Sequence, residues 1–178
     1  MNAVVIDTNV LLVANEQHEQ ASPECVFTCV QKLLWAQQHG VVVIDDAYRI
    51  ISEYYNKPDI NGTRTGDAFL KWLLQNQSNT DRVHQVLITE TNPDHFVEFP
   101  DQALQPDFDA PDRKFPAVAN AHHNKPPILQ AADCKWLNWW LALHATGITV
   151  DFVCPVDICG FYRKKFPDQP PATLPYET

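Results

Sequence analysis

The chain has 178 residues, which fits a single domain of ordinary size with a substantial core. Its 45% hydrophobic residues and only five glycines exclude a collagen-like or wholly disordered protein. The net charge of -9 argues against binding nucleic acid by bulk electrostatic attraction, but it is compatible with an acidic site that recruits metal ions.

The first half of the chain predicts alternating strands and helices. Val41 to Ile44 are four consecutive β-formers, which is typical of a strand covered on both faces. Ser22 followed by a proline is a typical helix start, and Asp45 or Asp46 can cap the helix after the second strand. The predicted strands are Ala3–Ile6 and Val41–Ile44, and the predicted helices run from Ser22 to Gly40, from Ala47 to Tyr55, and from Thr65 onward.

The second half continues the alternation. We predict strands at Val83–Thr89, Ile128–Ala132 and Ile148–Val153, and helices at Arg113–Ala121 and Trp136–Ala145. Strand and helix in steady alternation predict parallel pairing with helices on both faces. The expected fold is therefore α/β, a three-layer α/β/α sandwich around a mostly parallel sheet of about five strands.

The end of the chain differs in composition from the rest. From Pro155 it contains five prolines and few apolar residues after Tyr162. We therefore assign residues 1–154 to the domain and residues 155–178 to a Pro-rich surface tail. The basic residues Arg163, Lys164 and Lys165 are expected to be solvated, or to contact phosphates if they lie beside a site.

Cysteine and histidine spacings give little sign of a zinc site. The five cysteines lack the paired short spacings of a zinc ribbon. Cys25 and Cys29 lie four residues apart on an apolar helical face, so we predict buried free thiols. His122 and His123 are expected at a solvated helix end.

Four acidic residues lie at separate junctions between predicted strands and helices. Asp7 and Asp133 end the first and fourth strands, and Asp112 opens the helix after the third. Glu53 lies two turns into the helix after the second strand. Because the carboxyl ends of parallel strands form one edge, we expect the four carboxylates to converge and to bind one or two divalent cations. Taken alone, Asp112 is also compatible with a helix cap and Glu53 with a solvated helix position.

These residues resemble motifs of the PIN-domain nucleases. Residues 4–12 (VVIDTNVLL) look like the opening strand of that family, and residues 51–55 (ISEYY) and 112–115 (DRKF) resemble its later acidic motifs. The resemblance covers roughly residues 1–154. It implies a three-layer α/β/α fold, a Mg²⁺ or Mn²⁺ cofactor and hydrolysis of RNA. Carried over by position, the catalytic and metal-binding residues are Asp7, Glu53, Asp112 and Asp133.

Three positions depart from the family pattern. Ala131 stands where the family often has Ser or Thr, and Lys135 stands where it often has a further acid. Pro116 falls early in the helix after Asp112, where first-turn amides lack intrahelical partners and a proline is tolerated. The missing acid weakens a second metal site, and we expect Lys135 to be solvated or to contact a phosphate.

The sequence therefore predicts a metal-dependent endoribonuclease of the toxin or RNA-processing type. The cation would lower the pKa of a bound water, and Glu53 would ligate or orient that water. Thr8 and Asn9 are expected to position Asp7 by hydrogen bonds. The alternative is a non-catalytic PIN-like binding or assembly module.

Partners and location are also predicted from composition. No apolar run approaches the roughly 20 residues that span a bilayer. Asp7 interrupts the first apolar stretch, which therefore does not resemble a secretory signal. We expect a soluble, cytoplasmic protein that acts on RNA, and an antitoxin or a second copy of the chain is a candidate partner.

The stretch from Glu90 to Asp112 contains seven acidic residues and four prolines. The prolines disfavour a helix or a central strand, so we expect a loop without regular structure that hangs over the site. Its charge would repel RNA at low salt. The alternative is an acidic, solvated loop that has no role in the site.

Overall fold

Five parallel strands form the central sheet of the computed structural model, which describes residues 3–59 and 61–175. Every pairing in this sheet is parallel, and its strand order is β3-β2-β1-β6-β7. A separate antiparallel hairpin is formed by β4 and β5. The strands are β1 (Ala3–Ile6), β2 (Val41–Asp45), β3 (Val83–Val86), β4 (Glu90–Asn92), β5 (His95–Phe96), β6 (Ile128–Gln130) and β7 (Val150–Phe152).

Helices flank this sheet, and the predicted three-layer α/β/α architecture is confirmed. α1, α2 and α4 pack on one another, whereas α5 contacts β1, β2 and β6. Within the described ranges, no helix has the length and apolar composition that crossing a bilayer would require. The seven described α-helices are α1 (Thr8–Ala14), α2 (Pro23–His39), α3 (Arg49–Asn56), α4 (Thr65–Asn76), α5 (Lys114–Ala121), α6 (Trp140–Ala145) and α7 (Pro155–Lys165).

Burial explains why the central strands could be predicted from the sequence. All residues of β1 and β2 are buried, as continuous apolar runs require when helices cover both faces. β3 lies at the edge, where Val83 is buried and Gln85 is exposed. The strands β3, β6 and β7 are shorter than predicted, because the apolar residues beyond their paired segments belong to connecting loops.

Side-chain caps fix where two helices begin. The hydroxyl of Ser22 accepts a hydrogen bond from the N–H of Cys25 at 3.2 Å, as its Ser-Pro start indicated. Asp45 accepts from the N–H groups of Arg49 and Ile50 at 2.8 and 2.9 Å. α3 therefore begins two residues later than predicted.

Two elements differ from the predicted helices. The helix α1 was not predicted, because the seven residues after Asp7 are too few to show a helical period. The expected helix at 136–145 is divided into a 3₁₀ helix at Cys134–Asn138 and the shorter α6. Trp136 and Trp140 are nevertheless buried.

The expectation of a surface tail from residue 155 is wrong for residues 155–165, which form α7. Ile158 and Tyr162 of this helix are buried, and Asp157 accepts from the N–H and hydroxyl of Ser22 at 2.6 and 2.9 Å. The proline count of the whole segment obscured the apolar spacing of the helix. The domain boundary at residue 154 stays a prediction.

The prediction of free thiols is wrong for Cys25, which forms a disulfide with Cys154. The bond joins the start of α2 to the residue before α7, a separation of 129 residues that no local spacing reveals. Cys29 is a buried thiol as predicted, and burial raises its pKa to about 12. Disulfides persist mainly in oxidising compartments, so this bond weighs against the cytoplasmic location, which stays a prediction.

The segment from Glu90 to Asp112 is not the irregular loop that its prolines predicted. It contains the hairpin β4–β5 and two short 3₁₀ helices, Gln105–Asp107 and Ala110–Asp112. The side chains of Phe96, Phe99 and Phe108 are buried. These aromatic residues attach the segment to the core, although its acidic residues face solvent or the site.

His122 is also buried, contrary to the expected solvated helix end. Its Nε2 lies 2.9 Å from Nδ1 of His84 on the edge strand β3. Burial lowers the pKa of His122, and the neighbouring His123 and His84 lower it further. His123 itself is exposed.

Candidate metal centre

Asp7 and Asp133 lie at the carboxyl ends of two neighbouring central strands. Asp7 directly follows β1, and its N–H donates to the carbonyl of Leu129 in β6 at 3.0 Å. Asp133 lies three residues beyond the end of β6. The chain passes from β1 to one side of the sheet and from β6 to the other, so these carboxylates flank a topological switch point, where open α/β sheets form their ligand crevices.

Three carboxylates come together at this edge and form a group that we call the acidic triad, Asp109, Asp112 and Asp133. One carboxylate oxygen from each lies within 4.8 Å of the others. Asp109 was not among the predicted site residues. The available signal was its place three residues before Asp112, on the short turn that carries both residues to the sheet edge.

Asp7 is buried beside the triad, where its charge is difficult to accommodate. Its Oδ1 accepts a hydrogen bond from the N–H of Asn9 at 2.8 Å, which caps α1. Burial is the largest of the causes that raise the pKa of Asp7 to about 7; the charges of Glu53 and Asp133 also raise it, and the Asn9 N–H lowers it. The charge of Asp7 is therefore opposed mainly by burial and also by these two carboxylates.

Burial also raises the pKa values of Asp112 and Asp133 in the triad. Burial raises the pKa of Asp112 to about 8, helped by the charges of Asp7 and Asp133. The indole N–H of Trp136 donates to Asp112 Oδ2 at 3.2 Å. Burial also raises the pKa of Asp133, while the N–H of Lys135 at 3.0 Å, the charge of Lys165 and a hydrogen bond with Asp112 lower it.

The donor set fits a divalent cation. The triad offers three hard oxygen ligands from three separate residues, the kind that Mg²⁺ and Mn²⁺ prefer. A cation there would favour the ionised forms of Asp112 and Asp133, whose pKa values are raised by burial. These three residues could therefore hold a metal ion.

Glu53 lies at the same edge, but its carboxylate is engaged by protein groups. The hydroxyl of Thr8 donates to Glu53 Oε1 at 2.5 Å, and Lys114 forms an ion pair with Oε2. The Lys114 ammonium also donates to the carbonyl of Pro111. Thr8 therefore positions Glu53 and not Asp7, contrary to expectation. The expected contact of Asn9 with Asp7 is made by the Asn9 backbone N–H.

Lys135 is paired rather than solvated. Its ammonium forms an ion pair with Asp109 and lies 3.8 Å from Asp133 Oδ2. Burial lowers the pKa of Lys135. Lys135, which stands where the PIN-domain pattern often has a further acid, therefore offsets part of the negative charge of the triad.

Two clefts open beside the centre. The first cleft, of about 700 Å³, is lined by Glu53, Asp112 and Lys114, and further out by Arg49 and Lys57. The second cleft, of about 510 Å³, extends from Asp133 and Cys134 to α7. Both clefts thus combine an acidic edge with basic side chains, an arrangement suited to a metal ion and a phosphate group together.

Comparisons of the chain with family models, curated proteins and solved structures found no match. The PIN-domain resemblance therefore stays a prediction. The candidate centre depends on the geometry described above: the carboxylates of Asp109, Asp112 and Asp133 come together, and Thr8 and Lys114 hold Glu53 at the same edge.

Proposed function

We propose that the protein is a divalent-metal-dependent ribonuclease that hydrolyses phosphodiester bonds of RNA. The observation that carries this proposal is the group of carboxylates with raised pKa values at the switch point of the sheet. Asp7 and Asp112 titrate near neutral pH because burial and like charges oppose their ionisation. Buried groups with perturbed pKa values beside a cleft are typical of functional sites.

The roles of the residues follow from their positions. Asp109, Asp112 and Asp133 would hold Mg²⁺ or Mn²⁺, and Asp7 adds negative charge to the same centre. The cation, when bound, neutralises charge on the phosphate and lowers the pKa of a water molecule. Glu53, oriented by Thr8, is placed to accept a proton from a water molecule at the floor of the first cleft.

Basic side chains in the first cleft support a phosphodiester as substrate. Arg49, Lys57 and Lys114 line it, although Arg49 is paired with Glu90 and Lys114 with Glu53. Their charges offset the repulsion that a chain of net charge -9 exerts on a polyanion. Among the described lining residues, the acidic members of the segment 90–112 are Asp94, which is exposed, and Asp112.

The substitution Asp7→Asn tests the proposal. Asparagine keeps the oxygen that caps α1 but removes one charge from the centre, so we expect loss of RNA cleavage with an unchanged or slightly higher melting temperature. Cleavage of a labelled single-stranded RNA with Mn²⁺ or Mg²⁺ is measured, with Asp107→Asn as the control. Asp107 is an exposed acid outside the triad, and its variant should cleave as the wild type does. Wild-type cleavage by Asp7→Asn would rule the assignment out.

The alternative is a non-catalytic binding module, and the two lysines favour it. Lys114 and Lys135 place ammonium groups beside the carboxylates, as a protein does when internal cations replace a metal. Titration of Mn²⁺ while the melting temperature is measured separates the two proposals, because a ligand of the native state raises that temperature. A rise that Asp112→Asn abolishes supports the metal centre, and no rise at millimolar Mn²⁺ supports the module.

A further inference from the structure

We propose that the second cleft is a nucleotide subsite that holds one nucleotide of single-stranded RNA immediately beside the acidic triad. Lys164 and Lys165 would contact the phosphates, and the ring pair of Phe161 and His18 would stack on the base. The inference deepens the proposed function, because it names the residues that fix the strand on one side of the metal centre.

The subsite is continuous with the acidic triad. Asp133 and its neighbour Cys134 form one end of the second cleft, and Lys164 and Lys165 form the other. A phosphate on these lysines would therefore lie next to the triad and not on a distant surface.

The two lysines are available for a ligand. Both are exposed in the last turn of α7, and neither forms an ion pair with any residue in the described ranges 3–59 and 61–175. By contrast, Lys114 and Lys135 are already paired with carboxylates. In a chain with an excess of acidic residues, two adjacent unpaired ammonium groups attract a phosphate backbone.

Aromatic and polar groups complete the cleft. The rings of Phe161 and His18 lie with centroids 5.0 Å apart and their planes tilted by 38°, and both residues line the cleft. Nδ1 of His18 is buried and has no hydrogen-bond partner within the described part of the chain. A base stacked on this ring pair would be held by the contact with aromatic side chains that holds single strands without sequence preference.

The helix that carries the subsite is firmly attached. The Cys25–Cys154 disulfide lies directly before α7, and Asp157 bonds to Ser22 at its first turn. Further along the helix, the hydroxyl of Tyr162 donates to Asn138 Oδ1 at 2.7 Å. The lysines therefore project from a backbone whose position is fixed before RNA binds, which reduces the ordering cost of binding.

The phosphate contacts are tested by the double variant Lys164→Gln/Lys165→Gln. Binding of a fluorescent ten-nucleotide oligouridylate is measured by anisotropy with Ca²⁺ in place of Mn²⁺. We expect a loss of about tenfold in affinity, and the slope of log affinity against log salt should become less negative by about 1.4 for two lost contacts. The control is Arg163→Gln/Lys71→Gln, which has the same net charge but alters two exposed residues that are outside the described cleft lining.

The stacking contact is tested by Phe161→Leu. Loss of the ring should weaken binding by about tenfold and leave the salt slope unchanged, because no phosphate contact is removed. Phe27→Leu, at an exposed site on α2, serves as the control and should bind normally. Together, a changed slope in the lysine variant and an unchanged slope in Phe161→Leu would assign the two kinds of contact.

The outcomes distinguish this subsite from the proposed activity. If both the lysine and phenylalanine variants bind the oligouridylate as the wild type does, the subsite is wrong, even when the wild type cleaves RNA. If they lose affinity while the wild type cleaves nothing, the subsite stands and the ribonuclease proposal fails. An equal loss of affinity in the charge-matched control would show that the lysine variant acts only through bulk electrostatics. That result would overturn the proposed phosphate contacts.

Discussion

At the scale of single residues, Lys114 and Lys135 determine how so many carboxylates share one edge of the sheet. Each ammonium is paired with a carboxylate at this edge, Lys114 with Glu53 and Lys135 with Asp109. The Lys114 side chain is only 9% exposed, so its charge depends on Glu53 and the carbonyl of Pro111 for compensation. Lys114 therefore supports the position of Glu53 whether or not a cation binds.

A double-mutant cycle on Glu53→Gln and Lys114→Met tests this support. Glu53→Gln leaves a buried ammonium without its counter-ion and should lower the free energy of unfolding by about 2 kcal/mol. The double variant should recover part of that loss, with a coupling energy of about 1–2 kcal/mol between the two residues. The measurement is urea unfolding in the presence of EDTA.

The more exposed pair Lys32–Asp151, whose side chains are 37% and 30% exposed, is the matched control for this cycle. Its coupling energy should be below about 1 kcal/mol, because solvent screens the charges. Strictly additive effects of Glu53→Gln and Lys114→Met would show that the two groups do not stabilise each other.

At the scale of elements, the close approach of α4 to α1 depends on Gly66. A methyl group added at Gly66 would lie 2.4 Å from the carbonyl oxygen of Leu11 and 2.8 Å from Oδ1 of Asn15. The N–H of Gly66 also donates to that Asn15 oxygen at 2.7 Å. Backbone and a buried polar side chain must therefore move to accept any larger residue.

Substitution of glycine by alanine should thus have opposite effects at two helical positions. Gly66→Ala should lower the free energy of unfolding by about 2–3 kcal/mol through overpacking. At Gly160 in α7, a methyl group meets no atom within 4 Å, so Gly160→Ala should raise stability by up to about 1 kcal/mol. Chemical denaturation of both variants measures the difference. A stable Gly66→Ala protein would contradict the close packing of α1 and α4.

The elements that the sequence revealed are those with a sustained pattern. Four consecutive β-formers mark β2, and the Ser-Pro start with its apolar period marks α2. The helix α1 is too short for a period, and the proline-rich composition around α7 conceals its two buried residues. Packing of the aromatic side chains in the segment 90–112 is a tertiary effect that local propensity does not contain.

The candidate site likewise contains some features that the sequence predicts and others that depend on tertiary packing. The placement of Asp7 and Asp133 at one edge was predictable, because parallel topology brings strand ends together, whereas their role in a site stays a prediction. The positions of Asp109 and of the Lys114–Glu53 ion pair depend on how a turn and a helix pack against that edge. No spacing in the sequence predicts this packing. The dimer prediction stays open to test, with Leu34 and Trp35 exposed on α2.

At the scale of the whole molecule, the disulfide connects the stability of the fold to the second cleft. Cys25 and Cys154 close a loop of 129 residues in sequence, and the bond lies at the base of the helix that carries Lys164 and Lys165. Loss of such a long loop closure raises the entropy of the unfolded chain. The double variant Cys25→Ser/Cys154→Ser should therefore lose about 4 kcal/mol of unfolding free energy.

Reduction should act on the wild type as the double substitution does. Dithiothreitol should lower the melting temperature of the wild type and leave that of Cys25→Ser/Cys154→Ser unchanged, because only the former contains this bond. Below the melting temperature, Ser22 and Asp157 still hold α7, so RNA affinity should fall only slightly on reduction. A wild-type melting temperature that is insensitive to the reductant, with complete reduction verified by thiol titration, would show that the bond does not stabilise the fold.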